Sequence, residues 1–122
     1  MLPSTITLNV GSPAADVVYG PKQTLGSTSI FYAPSPNSDL AGRPTLRVSH
    51  ETTKSGVVRT LIQVRKPVLD AVTGKYVKPL QANLVLQRDG LSTLAEADEV
   101  LETIQEFLAV TDVRDALVGE SN

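Results

Sequence analysis

Cysteine and tryptophan are missing from this chain, and histidine and methionine occur once each. Without cysteine there is no disulfide staple and no thiolate metal site. A single histidine, with no D-x-[DN]-x-[DN]-G loop, leaves only scattered carboxylates as metal ligands. No apolar run approaches the roughly 18 residues of a membrane span, so no membrane partner is expected. The start, Met1-Leu2-Pro3-Ser4, has neither a positive region nor an apolar stretch before a small-residue cleavage site, and a signal peptide is not expected. The strings G-x-S-x-G, G-x-x-x-x-G-K-[ST] and G-x-G-x-x-G do not occur. The lone histidine, His50, falls on the inward face of a strand, where a hydrogen-bonded structural imidazole is expected rather than a general base. No catalytic set and no cofactor site emerges, so an enzyme is the least expected class.

What is present is a division of charge. Residues 1–88 hold ten Lys/Arg against four Asp/Glu, whereas residues 89–122 hold one against nine. If the two parts form opposite surfaces, one attracts polyanions and the other repels them; two ordinary solvated faces are the plainer alternative. The length of 122 residues is enough for a single domain that buries, folding alone, roughly two thirds of its unfolded surface.

The pattern predicts an α+β fold: an N-terminal β-hairpin, an antiparallel meander bringing the total to six or seven strands, and two C-terminal helices. Ser4 to Val10 alternates strictly; Gly11-Ser12-Pro13 breaks the run and Asp16 to Tyr19 resumes it, giving the hairpin within residues 1–22. Residues 26–88 form the sheet. Its first run is Ser27 to Ala33, followed by a Pro/Ser/Asn-rich loop from Pro34 to Pro44. Thr45 to Glu51 and Val57 to Asp70 follow, with a kink or edge at Pro67, and then a flexible loop from Val72 to Lys75 and a last strand Val77 to Arg88. From Ser92 the period changes to about 3.6, and Thr93 with Glu96 forms a capping box. Leu94, Ala97, Val100, Leu101, Ile104, Phe107 and Leu108 make one apolar stripe, and Thr111 or Asp112 opens a short second helix. Since the strands have one apolar and one polar face, the helices are expected to cover only the apolar side.

The outer face of the meander then carries Arg47, Arg59 and Arg65 with Thr45, Ser49, Gln63, Gln81 and Asn83. Arginines suit phosphates, while amides and hydroxyls suit base edges, so the face fits RNA; it fits equally a solvated sheet surface. No aromatic residue is expected on it for base stacking. A dimeric cellular adaptor that binds a protein or peptide on the open sheet is the alternative function.

The strings "TITLNVG", "VVYGP", "PTLRVSHETTKSGVVRTLIQVRKP", "LQANLVLQ", "STLAEADEVLETIQEFLAV" and "DVRDALV", in this order and over nearly the whole chain, resemble the coat proteins of single-stranded RNA bacteriophages of the levivirus type. The resemblance implies an intertwined homodimer with a continuous sheet, residues 92–122 serving as a helical dimerisation tail, assembled into an icosahedral shell around single-stranded viral RNA. It places the protein in the virion, assembled in the cytoplasm of a bacterial host. It also implies binding of an RNA hairpin at the replicase start, which represses translation. By the same resemblance the RNA contacts are Thr45, Arg47 and Ser49, then Arg59, Leu61, Gln63 and Arg65, and finally Gln81, Asn83 and Val85. Gln81 stands where related proteins have a stacking tyrosine, and Leu61 where a polar residue is usual. The loop Asp70, Ala71, Val72, Thr73, Gly74, Lys75 and Tyr76 is the implied contact between dimers, without inter-subunit disulfides.

Overall fold

A computed structural model describes residues 2–11, 14–35 and 39–119. It divides into two compact units, residues 1–87 and 88–122. Ser12 and Pro13 of the expected hairpin turn, and residues 36–38 of the expected long loop, lie outside the described residues.

In the first unit the alternation of residues 4–10 produces β1 (Ile6–Val10), which pairs antiparallel with β2 (Ala15–Tyr19). Ile6 faces Tyr19 and Leu8 faces Val17, so the apolar positions share a face. Across the pair, Asn9 Nδ2 donates to Asp16 Oδ1 at 2.8 Å. The chain leaves β2 through Gly20 at φ 143°, where an added Cβ would lie 2.7 Å from the Ser4 carbonyl oxygen. Only glycine fits that approach. It lets Gly20 N donate to Tyr32 O and Lys22 N donate to Ser4 O, tying the hairpin to the strand that follows.

Five strands make the second sheet, in the order β3 (Gln23–Leu25), β4 (Thr28–Tyr32), β5 (Thr45–Thr52), β6 (Val58–Leu69) and β7 (Tyr76–Arg88). The seven strands among the described residues match the expected six or seven; β3, at three residues, is too short to reveal alternation. Pro67 lies within β6 but two residues past Arg65, the partner of Thr45 at the first position of β5. Its missing N–H therefore costs no bond to β5. The loop between β6 and β7 is closed by its own backbone: Asp70 N donates to Lys75 O and Gly74 N to Asp70 O, with Gly74 at φ 69°.

The core of this unit is small. Phe31 and Ala33 are 0% exposed and Tyr19 8%, with Leu2, Ile6, Val17 and Leu46 packed around them. Parity explains the set: Phe31 faces Leu46, which faces Val64, and Ser29 faces Val48, which faces Ile62, so Phe31, Leu46, Val48, Ile62 and Val64 share one side. His50 is on this side too, exposed, with Nδ1 2.9 Å from Thr60 Oγ1.

The second unit begins with a turn in which Asp89 Oδ1 accepts from the backbone N–H groups of Leu91 and Ser92. α1 (Leu94–Ala109) is capped by Thr93, whose Oγ1 accepts from Glu96 N and donates to Glu96 Oε1, both at 3.1 Å. Val110, in extended conformation, separates it from α2 (Thr111–Gly119). Neither helix buries a described residue. No helix among the described residues is long and apolar enough to cross a membrane.

Candidate nucleic-acid interface

The tight turn between β5 and β6 sets the register on which the polar face depends. Thr53 N donates to Val57 O at 2.8 Å, Thr53 Oγ1 accepts from Val57 N, and Gly56 sits at φ 85°. With that turn closed, Thr45 faces Arg65, Arg47 faces Gln63, Ser49 faces Leu61 and Glu51 faces Arg59. Directly opposed residues share a side, so all seven positions expected on these two strands lie on one face. Strand β7 joins through Gln63 Nε2, which donates to Asn83 Oδ1 at 3.1 Å. Gln81 and Val85, two residues to either side of Asn83, point the same way. The expected set is therefore brought together across β5, β6 and the exposed edge strand β7, where Gln81, Asn83 and Val85 are all solvent-exposed.

The carboxylates of the first unit leave this face positive. Asp16 is engaged by Asn9 on the hairpin. Asp39 accepts from Tyr76 Oη at 2.6 Å, from Ser35 Oγ and from Gly42 N; the Tyr76 hydroxyl foremost, then Ser35, hold its pKa below the usual carboxylate value. Asp70 accepts from Val72 N at 2.9 Å, and that backbone bond likewise lowers its pKa. Only Glu51 remains on the face, opposite Arg59, against Arg47, Arg59 and Arg65.

The register corrects one expectation. Tyr32 of β4 faces Thr45 of β5, which puts an aromatic ring on the polar side after all. The Arg43 guanidinium lies over that ring, 4.6 Å from its centre. The run Ile30-Phe31-Tyr32 gives no alternation from which to choose a side; only pairing to β5 decides that Phe31 turns to the core and Tyr32 away from it. Tyr76, the last residue of the implied inter-dimer loop, is structured. It is the first residue of β7, and its hydroxyl is held by Asp39. Among the described residues, no three or more metal-ligating side chains come together.

No protein-family model matches the chain, and no curated protein matches it. Solved structures do. A virus-like particle of Beihai levi-like virus 21 superposes with a TM-score of 0.84 at 15% identity, over 100% of this chain and 98% of that one. The bacteriophage GA protein capsid gives 0.73 at 12% identity, over 97% and 95%. An unassembled virus coat protein dimer, a bacteriophage RNA-binding dimer, gives 0.72 at 10% identity, over 97% and 94%. The fold is thus shared over nearly the whole length of each chain, and the chain has the coat-protein fold of the levivirus-type RNA bacteriophages.

Proposed function

We propose that this chain is a coat protein that dimerises, assembles into an icosahedral shell and packages single-stranded RNA against the polar face of its sheet. The observation that carries the reading is the alignment of Arg47, Arg59 and Arg65 on one face of a sheet with the coat-protein fold. Dimerisation has its own support in the long edge of β7, thirteen residues with unpaired backbone groups along one side. An edge of that length invites a second strand, and a two-fold axis across it would make one continuous sheet from two copies. The apolar stripe of α1 supports the same pairing, with Val100 and Phe107 half exposed. On this reading the two units act as one coat-protein domain completed by its partner, residues 70–76 meet neighbouring dimers, and the particle forms in a bacterial cytoplasm.

Packaging and repression ask different things of the face. Packaging needs phosphate contacts, which the arginines supply; repression at a replicase start needs base reading. Leu61, between Arg59 and Gln63, offers no hydrogen bond for that purpose, and Gln81 offers an amide without a ring. The reading therefore places general RNA packaging first and hairpin recognition second.

Expression in bacteria tests it. Uniform closed particles whose 260 nm absorbance reveals nucleic acid are expected, and a soluble monomer free of RNA at every concentration would end the proposal. In the double variant Arg47→Ala/Arg65→Ala, RNA content should fall and the slope of log K against log salt should flatten by about 1.4, at about 0.7 per phosphate contact on a single strand.

A further inference from the structure

Beside the polar face lies a cavity of about 350 Å³, at the lower end of the roughly 300–1,000 Å³ of small-ligand sites. It borrows Thr45, Arg47, Gln63 and Arg65 from that face, and adds Tyr32, Arg43 and Tyr76. Three guanidinium groups line it, and no carboxylate does among the described lining residues. Asp39, the acid bonded to Tyr76, accepts from Ser35 and Gly42 in its own loop as well. That loop closes around Gly42, which is buried and where an added Cβ would collide with the Tyr76 hydroxyl and Ser35 Oγ.

Charge of this kind selects an anion, but the cavity is more than a cluster of charge. Arg43 stacked on Tyr32 presents a planar surface, and Pro67, Val77 and Pro79 give the wall an apolar portion. Bases stack on aromatic rings and on guanidinium planes, while their phosphates pair with neighbouring arginines. A free inorganic anion would use the arginines alone; a nucleotide uses both parts of the wall. We propose that this cavity holds one unpaired nucleotide of the RNA, with its base on the Arg43–Tyr32 stack and its phosphate on Arg47 and Arg65. The inference rests on the reading of the sheet as an RNA-binding surface and gives that surface a stacking site outside the expected contacts.

The test is titration of the purified full-length protein with a fluorescent single-stranded RNA hexamer at several salt concentrations. Tyr32→Leu should weaken binding about 5- to 150-fold, the range for loss of one base–aromatic stack, without changing the salt slope, because no phosphate contact is lost. Tyr32→Phe should bind as the wild type does. Arg59→Gln, on the same sheet face but outside the cavity, should instead flatten the slope. Should Tyr32→Leu fail to fold, Arg43→Lys makes the same distinction, since it keeps the charge and removes the planar stack. AMP should compete with the hexamer more effectively than inorganic phosphate at equal concentration. Wild-type affinity in both Tyr32→Leu and Arg43→Lys, with weakened binding in Arg59→Gln, would overturn the nucleotide site and leave the RNA-binding face standing. Equal competition by phosphate and AMP would also overturn it. Absence of hexamer binding by the wild-type protein at low salt would overturn both.

Discussion

The chain has two phenylalanines, and they sit in opposite settings. Phe31, in the sheet unit, is 0% exposed at the centre of a small core; Phe107, in the helical unit, is 56% exposed on a stripe of other exposed apolar residues. Both stretches obey their own periodicity, so local pattern does not account for the difference. The sheet unit has a hairpin to lay across its strands and so contains a centre of its own, built from Tyr19, Phe31 and Ala33. The helical unit has two helices of sixteen and nine residues and no buried side chain among their described residues. Helices that short are marginal without packing, and on the proposed function this exposed apolar face is the one that meets a second copy.

The largest effect is expected where the centre already exists. Phe31→Ala should cost about 3–5 kcal/mol, a large part of the about 5–15 kcal/mol that holds a typical domain together. A fall in the urea midpoint with an unchanged slope is the expected signature. A loss below about 1 kcal/mol would mean that the site collapses around the missing ring and is not a centre at all.

Phe107→Asp should act differently. It leaves Tyr19, Phe31 and Ala33 untouched and places a charge on the apolar face of α1. Sedimentation should then give the mass of a single 13.0 kDa chain in place of a dimer, with particle formation lost. An unchanged mass together with intact particles would make the helical face an ordinary surface and would remove the contrast between the two phenylalanines.

Most of this contrast is legible in the sequence, because periodicity is a local property. The strict alternation of residues 45–51 and the 3.6-residue stripe from Leu94 to Leu108 specify their elements without help. The polar face follows from parity alone, and the register puts Arg47, Arg59 and Arg65 where parity puts them. What stays hidden depends on pairing. Tyr32 lies in an apolar run with no alternation, so its side is decided by a partner strand that begins thirteen residues further on, at Thr45. The stacking of Arg43 on that ring and the bond from Tyr76 to Asp39 join segments far apart in sequence, and neither has a motif that would announce it.

The smallest expected effect belongs to the loop that joins these segments, and it distinguishes the sheet unit's core from its rim. Asp39 has its pKa lowered by the Tyr76 hydroxyl and by Ser35, so its carboxylate is bound more favourably in the folded chain than in the unfolded one. A depressed folded pKa contributes stability that is fully present above the unfolded value, about 3.9, and is lost as pH falls through the lower folded value. Asp39→Asn removes the charge that this linkage needs. Its melting temperature should therefore fall below that of the wild type at pH 7, and the two curves should converge as pH drops below about 4. Phe31→Ala, which carries no proton, should keep its deficit across the same pH range. A constant difference between Asp39→Asn and wild type from pH 7 to pH 2 would assign the effect of Asp39 to shape, and the carboxylate would then have no part in fixing Tyr76.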